Sequence, residues 1–160
     1  PIIEILERRI RQERRPWHAQ EIGALIIVPT RELALQIEEC LRSILPEHLA
    51  LCCVIGGRSL AEDEAAFREQ GGTVLLGTPG RLNDLMERHP ETFGRLKSLE
   101  VLVMDEADRL LALGFQATLT AILSRLPKQR RTGLLSATLN DSLAELIRVG
   151  MRNPVSVRIK

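Results

Sequence analysis

The chain has 160 residues, 44% apolar and 27% charged, with a formal net charge of +1, a length and balance that suit one globular domain with a single core. No uninterrupted apolar run approaches the length of a transmembrane helix, no signal-peptide pattern opens the N-terminus, and so small a charge gives no overall basic field to gather nucleic acid. Cys40, Cys52 and Cys53 are odd in number and lack C-x-x-C spacing, so they read as core residues in a reducing intracellular setting, not as metal ligands or a disulfide.

In chain order, the opening "PIIEILERRI" has no Met, which points to residues upstream. "ALIIV" (24–28) reads as a strand. A helix follows through "RELALQIEECLRSIL", where Leu33, Ile37, Cys40, Leu41, Ile44 and Leu45 recur at helical spacing. "LCCVI" (51–55) is the next strand, with a helix near 60–69. "TVLL" (73–76) precedes a helix near 80–88, and "LEVLVM" (99–104) a helix near 115–125. "TGLLS" (132–136), a helix near 141–149 and a last strand near "VSVRI" (155–159) complete the pattern. His18, His48 and His89 fall far apart in apparent loops and read as surface residues. There is no internal repeat, low-complexity tract or interdomain linker.

Strands apolar on both faces that alternate with helices predict an α/β fold: a mostly parallel sheet with helices on both faces. Right-handed crossovers put every strand's C-terminal end on one edge, where such sheets bind ligands. The residues there are "PTREL", "GGRS", "TPGRL", "DEAD" and "SAT". Each alone is an ordinary turn; five on one edge are hard to explain as turns.

The sharpest cluster is "VLVMDEADRLL" (101–111), a buried strand running into Asp105, Glu106 and Asp108. A helix N-cap with acids in its first turn would account for them. So would a strand end that holds Mg²⁺ on one carboxylate and aligns a water with the next. Aromatics are few, namely Trp17, Phe67, Phe93 and Phe115. A nucleic-acid ligand would therefore be gripped by its backbone, not by base stacking.

"PTRELA" (29–34), "GG" (56–57), "TPGRL" (78–82), "DEAD" (105–108) and "SAT" (136–138), in this order and spacing, resemble the motifs of DEAD-box RNA helicases. The resemblance covers nearly the whole chain. It implies a partial RecA-like (P-loop NTPase) domain: residues 1–160 as the N-terminal ATP-binding domain of an ATP-dependent RNA helicase. "PKQRRTGLLSAT" and "GGR" are most similar to the subgroup acting in ribosome assembly. That implies pre-ribosomal particles as partners and a nuclear or nucleolar setting, with a cytoplasmic one as the alternative.

By this resemblance Asp105 would hold Mg²⁺ through water and Glu106 would activate the water that attacks ATP. Asp108, bonded to Ser136 or Thr138, would couple nucleotide state to domain closure. Pro29, Thr30, Arg31, Gly57, Thr78, Gly80 and Arg81 would contact RNA phosphates and riboses, chemistry that suits backbone N–H groups, hydroxyls and arginine forks. The competing readings are an N-cap for Ser136 and Thr138, and a solvated or ion-paired arginine for Arg31 and Arg81.

The sequence departs from the family in three respects. It contains no G-x-x-x-x-G-K-[ST], no glutamine-bearing adenine-recognition segment, and no second RecA-like domain with its arginine finger. The resemblance puts the phosphate loop upstream of Pro1, and the 160-residue chain alone is expected to be inactive. A non-catalytic RNA-binding module derived from a helicase is the second reading, and a metal-dependent nuclease the third.

Overall fold

A strand buried at every position must lie inside a sheet covered on both sides. The computed structural model, which describes residues 1–19, 21–57, 59–89 and 91–158, builds such a sheet. After α1 (Ile2–Glu13) come β1 (Ala24–Ile27), α2 (Arg31–Ile44), β2 (Leu51–Val54), α3 (Leu60–Gln70) and β3 (Val74–Gly77). They are followed by α4 (Pro79–Arg88), α5 (Glu91–Leu96), β4 (Val101–Met104), α6 (Ala107–Ala112), α7 (Gln116–Arg125), β5 (Arg131–Leu134) and α8 (Asp141–Gly150). The five strands lie in the order β2-β3-β1-β4-β5 and every pairing is parallel. The fold is the α/β architecture expected from the sequence.

The pleat sorts side chains by parity. Leu25 and Ile27 of β1 join Leu82, Leu85, Ile122 and Leu146 from α4, α7 and α8 in one core. Ala24 and Ile26 face the opposite way, against Leu6 of α1 and Ala34 and Leu41 of α2. Among the described residues no helix is long and apolar enough to cross a membrane.

Some expectations fail. Cys40 and Ile44 are exposed, although they share a helical stripe with Leu41. The buried line of α2 runs through Ala34 and Leu41, and Cys40, one residue from Leu41, sits about 100° around the helix from it. Cys52 and Cys53 are buried in β2 as expected. Residues 155–158 form no strand, and Val155 and Val157 are 86% and 82% exposed. Their alternation is strand-like, but β5 is the edge of the described sheet and no strand lies beside them; Ile159 falls outside the described residues. The two short helices α5 and α6 are too brief for periodicity to reveal.

Candidate functional site

Two neighbouring strand ends frame the first part of the site. Where β4 and β5 finish, Leu135 N–H donates to the Met104 carbonyl and Ala107 N–H donates to the Leu135 carbonyl, both at 2.9 Å. Beside them opens a cleft of about 690 Å³ whose lining includes Asp105, Glu106, Asp108, Ser136, Thr138 and Asn140.

Asp105 is half-buried, and its Oδ1 accepts from Glu106 N–H at 2.8 Å. It caps no helix: α6 begins at Ala107, with Glu106 before it and no side-chain cap. Capping therefore does not account for the carboxylate. Glu106 sits in the left-handed region, φ 46° and ψ 50°, which costs an L-residue about 1–2 kcal/mol. Its carboxylate lies 3.3 Å from Arg109 Nη1, the one cation lining the cleft.

Asp108 bridges to the neighbouring strand end. Its Oδ2 accepts from the Thr138 hydroxyl at 2.9 Å and from Thr138 N–H at 3.1 Å. Its Oδ1 accepts from Arg109 N–H at 3.1 Å. The Thr138 hydroxyl, helped by Arg109 N–H and Ser136, holds the Asp108 carboxyl below its usual range despite some opposing desolvation. The Ser136 hydroxyl donates to the Thr138 carbonyl at 2.8 Å, bracing the loop. Neither hydroxyl caps α8: Asn140 does, its Oδ1 accepting from Leu143 N–H at 2.8 Å.

The second part of the site spans the ends of β2, β3 and β1, which adjoin in the sheet. Pro29 is buried and Thr30 caps α2, its hydroxyl accepting from Leu33 N–H at 3.3 Å. Arg31 is exposed and lies against Gly57: at φ 98°, a Cβ on Gly57 would collide with the Arg31 guanidinium. Thr78 precedes α4 without capping it, and Gly80 is exposed in the first turn with open space around it. Arg81 differs from its companions. Its side chain is 12% exposed, and its Nε lies 3.4 Å from Oδ2 of the buried Asp63. The ion-paired reading describes Arg81; among the described residues Arg31 has no ion pair.

Sequence reasoning missed Asp63. It follows the capping box of Ser59 and Glu62, so it reads as another first-turn acid, and only the tertiary pairing of α3 with α4 distinguishes it. Gly77 was missed as well. A Cβ there would lie 2.6 Å from the Val54 carbonyl, so glycine is what lets β2 and β3 close at this edge.

The residues present fit Mg²⁺. That ion is held by one or two carboxylates, several waters and substrate phosphates, not by a protein cage. The Asp105 oxygen not bonded to Glu106 N–H has no other hydrogen bond among the described residues. No group of three or more His, Cys, Asp or Glu converges among the described residues, so the multi-carboxylate constellation of a metal-dependent nuclease is not built here. The three histidines stay outside the site: His48 pairs with Glu7 and His89 with Glu64, each at 2.6 Å, and His18 is exposed.

Comparison with known proteins agrees with this geometry. The family model described as DEAD/DEAH box helicase matches residues 1–146. The ATP-dependent RNA helicase DDX55 of Homo sapiens is 48% identical across the whole chain, and DEAD-box ATP-dependent RNA helicase 18 of Arabidopsis thaliana is 43% identical. The chain spans about a quarter of the length of these curated relatives, 27% and 26% respectively. Among solved structures, the yeast DEAD-box splicing factor Prp28 superposes with a TM-score of 0.77 at 29% identity, over 90% of this chain and 35% of that one. The DEAD-box helicase Mss116, bound to ssRNA and UDP-BeF, gives 0.75 at 28% identity, over 92% of this chain and 31% of that one. From one strand edge bearing all five clusters, a RecA-like sheet and matches along its length, the chain belongs to the DEAD/DEAH box helicase family.

Proposed function

We propose that the protein containing these 160 residues is an ATP-dependent RNA helicase that remodels RNA duplexes or ribonucleoprotein, and that residues 1–160 lie in its N-terminal RecA-like domain. The phosphate loop and second RecA-like domain are assigned to the rest of the protein, because the curated relatives are far longer than this stretch. One observation carries the reading: the Asp108–Thr138 hydrogen bond joins the ends of β4 and β5 inside the cleft that holds Asp105 and Glu106.

In this reading Asp105 holds Mg²⁺ through water. The ion's contribution is to neutralise charge on the ATP phosphates. Glu106, half-exposed at the cleft, aligns the attacking water and takes its proton. Asp108 and Thr138 tie the nucleotide cleft to the loop that starts α8, so that a change in the cleft is felt across the sheet edge. Pro29, Thr30, Arg31, Gly57, Thr78, Gly80 and Arg81 form the RNA side, gripping phosphates and riboses with little regard for sequence. A solved relative's association with ssRNA and a nucleotide analogue supports both halves. Likeness to the ribosome-assembly subgroup in "PKQRRTGLLSAT" makes pre-ribosomal particles the proposed partners and the nucleus or nucleolus the proposed location, which fluorescent tagging of the complete protein would test.

The test of function is RNA-stimulated ATP hydrolysis and duplex unwinding by the complete protein. Both activities are expected. RNA binding without either would instead establish the non-catalytic module.

A further inference from the structure

A second cleft, of about 330 Å³, lies at the edge of the sheet opposite the carboxylates, between the turn entering β5 and the C-terminal end of α8. Lys128, Arg130, Arg148 and Arg152 line it, and no acidic residue does. In a chain of net charge +1, four cations in one cleft are a local concentration that the overall balance conceals.

Arg130 is the built part. Its Nη1 donates to the Pro127 carbonyl at 2.7 Å and its Nη2 to the Gly150 carbonyl at 3.1 Å. Its Nε is buried without a partner. Burial pushes the guanidinium pKa down and no carboxylate counters it, an arrangement that favours a bound anion. Closing the end of α8 accounts for Nη1 and Nη2. It does not account for Nε, nor for Lys128, Arg148 and Arg152, which are exposed and without ion pairs among the described residues.

We propose that this cleft is a second RNA site, which binds the phosphodiester backbone. The inference rests on the RNA-binding reading above. The side chains supply donors, and the Pro127 and Gly150 carbonyls are already taken by Arg130. A phosphodiester chain brings only acceptors to such a surface, whereas an acidic peptide also brings backbone N–H groups that need partners. No aromatic side chain lines the cleft, so it grips the backbone and does not stack bases. Four-residue strands separate the two edges by about 13 Å, so one RNA held at both would be anchored on either side of the sheet.

The experiment uses the complete protein and a labelled oligouridylate. Lys128 and Arg152 are exposed, so the double variant Lys128→Glu/Arg152→Glu leaves the core intact. It is expected to bind RNA at least tenfold more weakly, with the salt dependence shallower by about 1.4–1.8 for two lost phosphate contacts. ATP turnover without RNA and the melting temperature should stay unchanged, and Lys128→Arg/Arg152→Lys should restore binding. Wild-type affinity and salt slope in the charge-reversed variant would overturn the second site while leaving the helicase reading standing. So would weakened binding that tracks a lower melting temperature, or polyglutamate bound through these residues while RNA affinity is untouched. Failure of the wild-type protein to bind RNA at all would sink both readings.

Discussion

Changing Thr138 to Val keeps the side chain's shape and removes its hydroxyl. The bond lost is the 2.9 Å contact with Asp108 Oδ2; the 3.1 Å bond from Thr138 N–H to the same oxygen survives. A hydrogen bond to a charged group contributes about 1.5–3 kcal/mol when shielded, and an ordinary one about 0.5–1.5. This contact is exposed, so about 1 kcal/mol is appropriate, and that corresponds to roughly a fivefold change in an equilibrium. Because Asn140 caps α8, Thr138→Val leaves the helix start intact, and the melting temperature should fall by no more than about 2–4 °C. Duplex unwinding per ATP hydrolysed, measured on the complete protein, should drop about fivefold while the ATPase rate stays within about twofold. The Asp108 carboxyl is held below its usual range, so this ratio should be flat from about pH 6 to 8. ATPase and unwinding that fall in parallel, with a melting temperature several degrees lower, would refute the coupling role.

Glu21 accepts from Arg15, His18 N–H and Ser98, and the Arg15 guanidinium above all draws its pKa down to about 2. A depressed carboxylate stabilises the fold above its unfolded value of about 4.3, and this contribution is lost as pH falls towards the folded value. Glu21→Gln should lower the melting temperature at pH 7 and flatten its decline between about pH 4.5 and 2; an acid limb identical to wild type would contradict the pairing. Gly57→Ala adds a Cβ at φ 98° against the Arg31 guanidinium, so it should cost about 1–2 kcal/mol in stability and weaken RNA binding measured by fluorescence anisotropy. At Glu106, in the left-handed region, Gly should be more stable than Ala by about 1 kcal/mol in thermal melts, and equal stability would argue against backbone strain there. The 160-residue chain alone should bind ATP very weakly by calorimetry, since the cleft offers Arg109 as its one cation.

Much of the fold could be read from the sequence because its signals are local. Leu25 and Ile27 face one core and Ala24 and Ile26 the other, a doubly buried strand that appears in sequence as an unbroken apolar run. The turns after the strands carry special chemistry, so Asp105, Asp108 and Thr138 could be named before their geometry was known. What could not be read depended on tertiary pairing. Asp63 resembles any first-turn acid until α4 brings Arg81 to 3.4 Å. Val155 and Val157 alternate like a strand, yet alternation does not supply a neighbouring strand. Cys40 shows the weakness of a stripe defined by composition alone: the face that packs is decided by the sheet beneath it.

The central claim is that the strand end at Asp105 and Glu106 hydrolyses ATP in the complete protein. Glu106→Gln tests it most directly, because it removes the base and leaves Asp105 in place. ATP affinity should remain within about threefold of wild type, while RNA-stimulated turnover should fall on the order of a hundredfold or more. Wild-type turnover in this variant would contradict the assignment of Glu106 and the account built on it.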